Sequence, residues 1–141
     1  MSSNRFLAES HSLPWAETPF KGVSHKVLRF HEDHTGVIEL TRIATGAALP
    51  AHRHLVTQAA FFISGVGQAL DGAIIKAGTY AEVPAGERHG TKAIEEVVLL
   101  NFFNGMVTWL LDDGESLLLK RDGSFARLGR VHEGFGDRNL P

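Results

Sequence analysis

Short stretches of alternating apolar and polar residues, set apart by glycine-containing turns, run through most of the chain. His25 to Phe30 and Gly36 to Ile43 are rich in Val, Ile, Leu and Thr and predict two strands joined by the polar turn H-E-D-H-T-G. From Gln58 to Ser64 the period is two: Gln58, Ala60, Phe62 and Ser64 share one face, and Ala59, Phe61 and Ile63 share the other. Gly65-Val66-Gly67 then predicts a turn, with Gln68 to Leu70 pairing back. Asp71-Gly72 is a two-residue hairpin signal. Ala73 to Lys76 and Thr79 to Val83 predict short strands, and Glu87-Arg88-His89 leads into another. Ala93 to Glu96 reads as a connection, and the apolar run Val97 to Phe103 as a buried strand. Met106 to Leu111 and Leu117 to Lys120 complete the set, with turns at Asp112-Asp113-Gly114 and Asp122-Gly123. No helix of ten or more residues is predicted. The pattern implies an all-β barrel or sandwich.

Residues 1–20 show no period, and Leu13-Pro14 and Thr18-Pro19 favour an extended arm, because a residue before proline avoids the helical region. Residues 21–128 form the barrel, and the glycine- and charge-rich residues 129–141 form a tail. At 141 residues, with 43% hydrophobic and 21% charged content, the chain fits one globular domain. No internal repeat suggests a second one. A formal net charge of −2 without a basic run argues against nucleic-acid binding. Cysteine is absent, so disulfides and thiolate metal sites are excluded. The first ten residues lack an apolar signal core, and no apolar run approaches the ~20 residues of a membrane helix. These features lead to an expectation of a cytoplasmic protein with no membrane partner.

The candidate chemistry concentrates between Gly46 and His89. In an extended strand His52 and His54 point the same way, with Cα atoms roughly 6.5–7 Å apart. Two imidazoles on such stems can converge on one ion. His89, after the Pro84-Ala85-Gly86 turn, supplies a third. Neutral histidine is a nitrogen donor near pH 7, and three donors can take one face of an ion and leave the other open. An open face marks a catalytic rather than a structural metal site.

The remaining polar residues have plainer readings. His31, Glu32, Asp33 and His34 form a second cluster, but adjacent turn residues diverge. His11 and His132 read as solvated, and Asp71 as a turn residue. Arg53 should point out of the barrel. Glu87 and Arg88 sit beside His89 at the barrel mouth, where they can form an ion pair, and Glu82 alternates with Tyr80. Phe62, Phe102, Phe103 and Trp109 can line an apolar pocket or simply fill the core. No nucleophile elbow, phosphate loop or dinucleotide fingerprint is present.

The two spaced segments resemble the motifs of the cupins. The first cupin motif reads G, five residues, H-x-H, three or four residues, E, six residues, G; Gly46, His52, His54 and Gly65 match it, with Gln58 in place of the glutamate. The second reads G, five residues, P-x-G, two residues, H, three residues, N; Gly78, Pro84, Gly86 and His89 match, with Ala93 in place of the asparagine. The resemblance implies a cupin jelly-roll β-barrel. The stretches L-P-A-H-R-H, F-F-I-S-G, A-G-T-Y-A-E-V-P-A-G-E-R-H and W-L-L-D-D-G narrow it to single-domain cupins similar to the 2,4'-dihydroxyacetophenone and acetylacetone dioxygenases. ChrR-type cupins are a looser match.

The metal ligands that the resemblance implies are His52, His54 and His89. Gln58, at the place of a glutamate ligand, can ligate, hold a metal-bound water, or fill the barrel. The implied cofactor is one divalent ion, with Fe(II) favoured over Zn, Ni or Cu. The implied activity is iron(II)-dependent dioxygenase cleavage of a C–C bond in a small diketone or hydroxyketone. Its partners would be that small molecule and molecular oxygen, in a homodimer. The alternative is a non-catalytic Zn- or Ni-loaded cupin that senses a ligand. A sugar or small-acid isomerase would need an acid–base pair that the sequence does not identify.

Overall fold

The computed structural model describes residues 4–31, 33 and 35–129. Among them run eleven strands: β1 (Ala16–Glu17), β2 (Val23–Phe30), β3 (Val37–Ile43), β4 (Ala48–Arg53), β5 (Gln58–Ala69), β6 (Ile74–Lys76), β7 (Tyr80–Val83), β8 (His89–Phe103), β9 (Thr108–Leu111), β10 (Ser116–Leu119) and β11 (Phe125–Gly129). The helical content of the described residues is a 3-10 turn at Ser10–Ser12. Neighbours follow the order β1-β2-β3-β8-β4-β9-β10-β11, and β5 pairs with β6, β7 and β8. The curled antiparallel sheet bears out the all-β fold expected from the alternation and the jelly-roll barrel implied by the cupin motifs.

The fifteen-residue strand β8 holds the barrel together. Along one edge, its C-terminal half pairs with β3, from Val97↔Ile43 to Phe103↔Val37. Its N-terminal end pairs with β4, including His89↔His52. The other edge carries β5, with Phe103↔Gln58, Asn101↔Ala60 and Leu99↔Phe62. Alternation sends Val97, Leu99, Asn101 and Phe103 inward. Apolar burial forms two clusters: Val23, Ile43, Ala60, Phe62, Ala93, Val97 and Leu99 in one, and Val37, Phe103, Val107, Trp109, Leu117 and Leu119 in the other. A cavity of about 220 Å³ is lined from both.

Two expected breaks in the strands are absent. Gly65-Val66-Gly67 is not a turn; β5 runs through it with shifts of register against β8. Gly65 has φ 88°, and a Cβ there would fall 1.9 Å from the Glu96 carbonyl oxygen. The glycines thus let two backbones pass closely at a bulge. Nor is Ala93–Glu96 a connection. It belongs to β8, with Ala93 fully buried and Ile94, Glu95 and Glu96 exposed on the outer side. Two consecutive glutamates interrupt the apolar run, and the register against β5 shifts there, but the strand continues.

The N-terminal segment lies along its own barrel. Ala16 and Glu17 pair with His25 and Ser24 of β2. The Trp15 ring takes the Lys26 ammonium at 4.7 Å and the Arg42 guanidinium at 4.4 Å. Phe20 meets Trp109 edge to face, with ring centroids 6.3 Å apart. The turn cluster at residues 31–34 is described only at His31 and Asp33; Asp33 accepts from the Thr35 backbone N–H and hydroxyl, as a polar turn does. Glu32, His34, His132 and the tail beyond Gly129 lie outside the described residues. No helix among the described residues is long and apolar enough to cross a membrane.

The bulge yields a paired prediction. Gly46 also has positive φ, 82°, but open space where a Cβ would sit. Gly46→Ala should cost about 1 kcal/mol, the price of left-handed backbone alone. Gly65→Ala should cost several times more or prevent folding. Urea unfolding of the two variants checks this, and equal costs would show that the β5–β8 approach is loose.

Candidate metal centre

His52 lies on β4, His54 one residue beyond the strand's end, and His89 at the start of β8. Direct pairing of His52 with His89 brings two of the rings together across the ladder. The third is positioned from the loop before β8. There the Gly86 N–H donates to the His54 carbonyl (2.8 Å), and Arg53 Nη1 donates to the Gly86 carbonyl (2.8 Å). Gly86 has φ 84°, so the motif glycine supplies a bend that another residue would resist. Ring centroids are 4.3 Å (His52–His89), 4.6 Å (His52–His54) and 5.2 Å (His54–His89) apart. One nitrogen from each ring lies within 4.8 Å of the others, so the group could hold a metal ion.

The hydrogen bonds assign the tautomers. His52 Nδ1 faces the Pro50 carbonyl at 2.6 Å, and His54 Nδ1 faces the Thr108 carbonyl. A carbonyl oxygen only accepts, so each Nδ1 carries the hydrogen. The two Nε2 atoms are left as lone pairs 3.1 Å apart. His89 Nε2 and Gln58 Oε1 are buried without a partner; Thr108 Oγ1 is a third such atom among the described residues. Two lone pairs at hydrogen-bond distance repel unless a proton or a cation sits between them. Burial opposes the proton. It lowers the pKa of His52, against the Pro50 hydrogen bond and the nearby Asp112 charge. It pushes His54 well below the usual histidine range, with His52 and His89 adding repulsion. His89 falls to about 3 through burial and then the His52 charge. Neutral nitrogens fixed by second hydrogen bonds are the donor set a divalent cation requires.

Gln58 lines the same cavity as the three histidines. Phe62, Phe103 and Trp109 line it too and are 4–5% exposed, whereas Phe102 is 40% exposed on the outer face. Strand alternation sets that difference, since Phe102 lies between the inward residues Asn101 and Phe103. Glu87 lines the cavity, but its expected ion pair with Arg88 is replaced: Arg88 binds Asp112, Nη2 to Oδ2 at 2.6 Å. Both are half-exposed, and β9 ends next to β4, which brings the Asp112 turn within reach. Asp71 accepts from the Ala73 N–H, and Glu82 from the Tyr80 hydroxyl; both are surface bonds.

A polar group on the cavity wall went unrecognised in the sequence. His25, Glu39, Thr41 and Asn101 are 2–4% exposed and line the cavity. The signal was present: in V-I-E-L-T-R-I, alternation puts Glu39 and Thr41 on the face of Val37 and Ile43.

Comparisons with known proteins agree with this picture. Residues 3–108 match the family of ChrR cupin-like domains. No curated protein matches the sequence. Among solved structures, an acetylacetone dioxygenase from Acinetobacter johnsonii aligns with TM-score 0.64 and 16% identity, over 96% of this chain and 91% of that one. A candidate acetylacetone dioxygenase from Methylibium petroleiphilum aligns with TM-score 0.67 and 18% identity, over 96% of each chain. The polyketide cyclase RemF from Streptomyces resistomycificus aligns with TM-score 0.62 and 16% identity, over 70% of this chain and 78% of that one. At such identities the likeness establishes the fold alone.

The depressed histidines set a pH dependence for the metal-free protein. Above pH ~6.5 they are neutral in both folded and unfolded chains and add no slope. Below it the unfolded chain binds protons that the folded site refuses, so stability falls as pH falls; for His89 the loss continues to about 3. One such group contributes about 1.4 kcal/mol per pH unit. Metal-free His89→Gln should therefore show a flatter fall between pH 6.5 and 4.5 by that amount in urea unfolding. Parallel curves would mean that His89 is not held neutral.

Proposed function

The chain belongs to the family of ChrR cupin-like domains, and from that premise we propose that it is a mononuclear metalloprotein whose ion is held by His52, His54 and His89. We read it as an iron(II)-dependent dioxygenase that cleaves a C–C bond in a small diketone or hydroxyketone. The observation that carries the metal reading is the convergence of unprotonated Nε2 atoms, 3.1 Å apart between His52 and His54. The reaction class draws on the sequence resemblance and on the dioxygenases among the structural neighbours. A cavity of about 220 Å³ suits a small molecule rather than a polymer.

Iron(II) in this position would supply Lewis-acid polarisation of two substrate oxygens and an electron path to dioxygen. The protein's own part is arrangement. Phe62, Phe103 and Trp109 give the cavity an apolar wall, which strengthens electrostatic attraction beside it. Pro50 and Thr108 hold the His52 and His54 rings in one tautomer. All the proposed protein donors are neutral, so an anionic enolate meets the full charge of the ion. We further propose a homodimer through the outer face of β5 and β8, where Phe61, Ile63 and Phe102 are 40–48% exposed.

A second reading follows from the family itself: a metal-loaded, non-catalytic module that senses a small ligand. Oxygen uptake on a panel of diketones and hydroxyketones, by protein loaded anaerobically with Fe(II), separates the two. Turnover supports the dioxygenase; tight diketonate binding without uptake supports the sensor.

Four variants test the site. His52→Ala, His54→Ala or His89→Ala should each reduce metal content from one ion per chain to well below stoichiometric, with a strand-dominated circular dichroism spectrum retained. Unchanged metal in all three would place the ion elsewhere. Gln58→Glu should bind the divalent ion more tightly yet bind acetylacetonate about tenfold more weakly. A carboxylate about 4 Å from the enolate costs up to roughly 4 kcal/mol at an effective dielectric of 20, and solvent reduces this to about 1–2 kcal/mol. Equal or tighter diketonate binding by the variant would remove charge at Gln58 from the explanation.

A further inference from the structure

An unbroken line of hydrogen bonds crosses the cavity wall beside the histidines. Gln58 Nε2 donates to Asn101 Oδ1 (2.8 Å), and Asn101 Nδ2 donates to Thr41 Oγ1 (2.9 Å). Thr41 Oγ1 donates to Glu39 Oε1 (3.3 Å). Glu39 Oε2 shares a proton with His25 Nδ1 (2.9 Å), and His25 Nε2 donates to the Gly123 carbonyl (3.0 Å). The five side-chain partners are at most 7% exposed. They come from the inward faces of β5, β8, β3 and β2, which are adjacent in the barrel.

The line has one direction, and its far end sets that direction. The Gly123 carbonyl only accepts, so His25 Nε2 carries hydrogen. The remaining proton lies between His25 Nδ1 and Glu39 Oε2, and whichever of the two holds it, Glu39 Oε1 carries none. Oε1 is therefore an acceptor, and the single Thr41 hydroxyl proton goes to it. Thr41 Oγ1 must then accept, which obliges Asn101 to present its NH2 group. Asn101 then turns Oδ1 to Gln58, and Gln58 must answer with its own NH2. Gln58 Oε1 is left facing away from the line, buried and without a partner.

We propose that Glu39, Thr41 and Asn101 are positioning residues that fix the Gln58 amide with its oxygen, not its NH2 group, toward the three histidines. This rests on the reading of those histidines as a metal site. Gln58 then serves as an electron-pair donor, to the ion or to a water on it. The device answers a problem that glutamine creates. A carboxylate offers oxygen in either orientation, whereas an amide turned the wrong way would aim N–H dipoles at a cation. With the polar line in place, a neutral side chain takes the position of a charged one without that ambiguity.

Cobalt(II) titration followed by its visible absorption tests this, because band position and intensity respond to the donor set. Thr41→Val deletes the hydroxyl that orients Asn101. It should weaken Co(II) binding about tenfold, as changes to outer hydrogen bonds at metal sites do, and shift the spectrum toward that of Gln58→Leu. Thr41→Ser should restore both. Glu39→Gln should also bind as wild type, since its amide oxygen can face Thr41 while its NH2 group donates to a neutral His25. In a Gln58→Leu background, Thr41→Val should have no further effect on affinity; a merely structural role would lower it equally in both backgrounds. Should Thr41→Val not fold, proton NMR of zinc-loaded wild type makes the same test. Overhauser contacts from the Gln58 side-chain amide protons should reach the Thr41 and Asn101 side chains and not the imidazole rings. Wild-type binding and spectrum in Thr41→Val, or amide contacts to the rings, would overturn the proposal while leaving the metal reading intact. No Co(II) binding by the wild type would overturn both.

Discussion

Most strands that contribute to the cavity are held, directly or through one neighbour, by β8, which pairs along both edges at once; β11, which brings Phe125, reaches it through β10, β9 and β4. A strand with no free edge has little choice of register, because a one-residue slip would turn Leu99, Asn101 and Phe103 outward and bring Leu100 and Phe102 in. That constraint places His89 opposite His52 and Asn101 between β3 and β5. The histidine group and the polar line are thus two outcomes of one ladder. The bulges near Gly65 absorb the curvature that such a shared strand imposes.

The interior balances this framework in an unusual way for a small barrel. Two apolar clusters fill much of the interior, but the inward faces of β2, β3, β5 and β8 also carry His25, Glu39, Thr41, Gln58 and Asn101. Buried polar groups destabilise a core unless each finds a partner. Here the bonds run from one strand to the next, and two of the three buried side-chain atoms left without a partner among the described residues, Gln58 Oε1 and His89 Nε2, belong to residues that line the cavity.

What the sequence makes legible follows from which constraints are local. Gly46, Gly78 and Gly86 sit at positive φ, and the histidines sit at fixed offsets from such glycines, so spacing alone brings His52, His54 and His89 forward. Period-two alternation identifies most strands, but the near-continuous apolar run over residues 97–103 does not show that Phe103 faces in and Phe102 out. Alternation fails where a strand bulges or carries charge on its wet side, as at Gly65-Val66-Gly67 and Glu95-Glu96, because the ladder tolerates what the pattern does not show. Partners that are remote in sequence are also hidden. Arg88 has Glu87 beside it yet pairs with Asp112, since chain neighbours on a strand point apart while β9 brings the distant turn close. Glu39 is visible as a charge on an apolar face, but its partner His25 emerges only when β2 and β3 are set in register.

The Gly86 amide that caps the His54 carbonyl belongs to a segment made long after His54 in synthesis. His52 and His54 leave the ribosome as a pair, and thirty-odd further residues must follow before His89 can pair with His52. During that interval the pair alone would offer the proposed ion two donors, too few to select it by geometry. Discrimination by coordination geometry becomes available only once β8 has closed the barrel. An ion held as proposed would therefore be selected late, by the closed barrel and not by the growing chain.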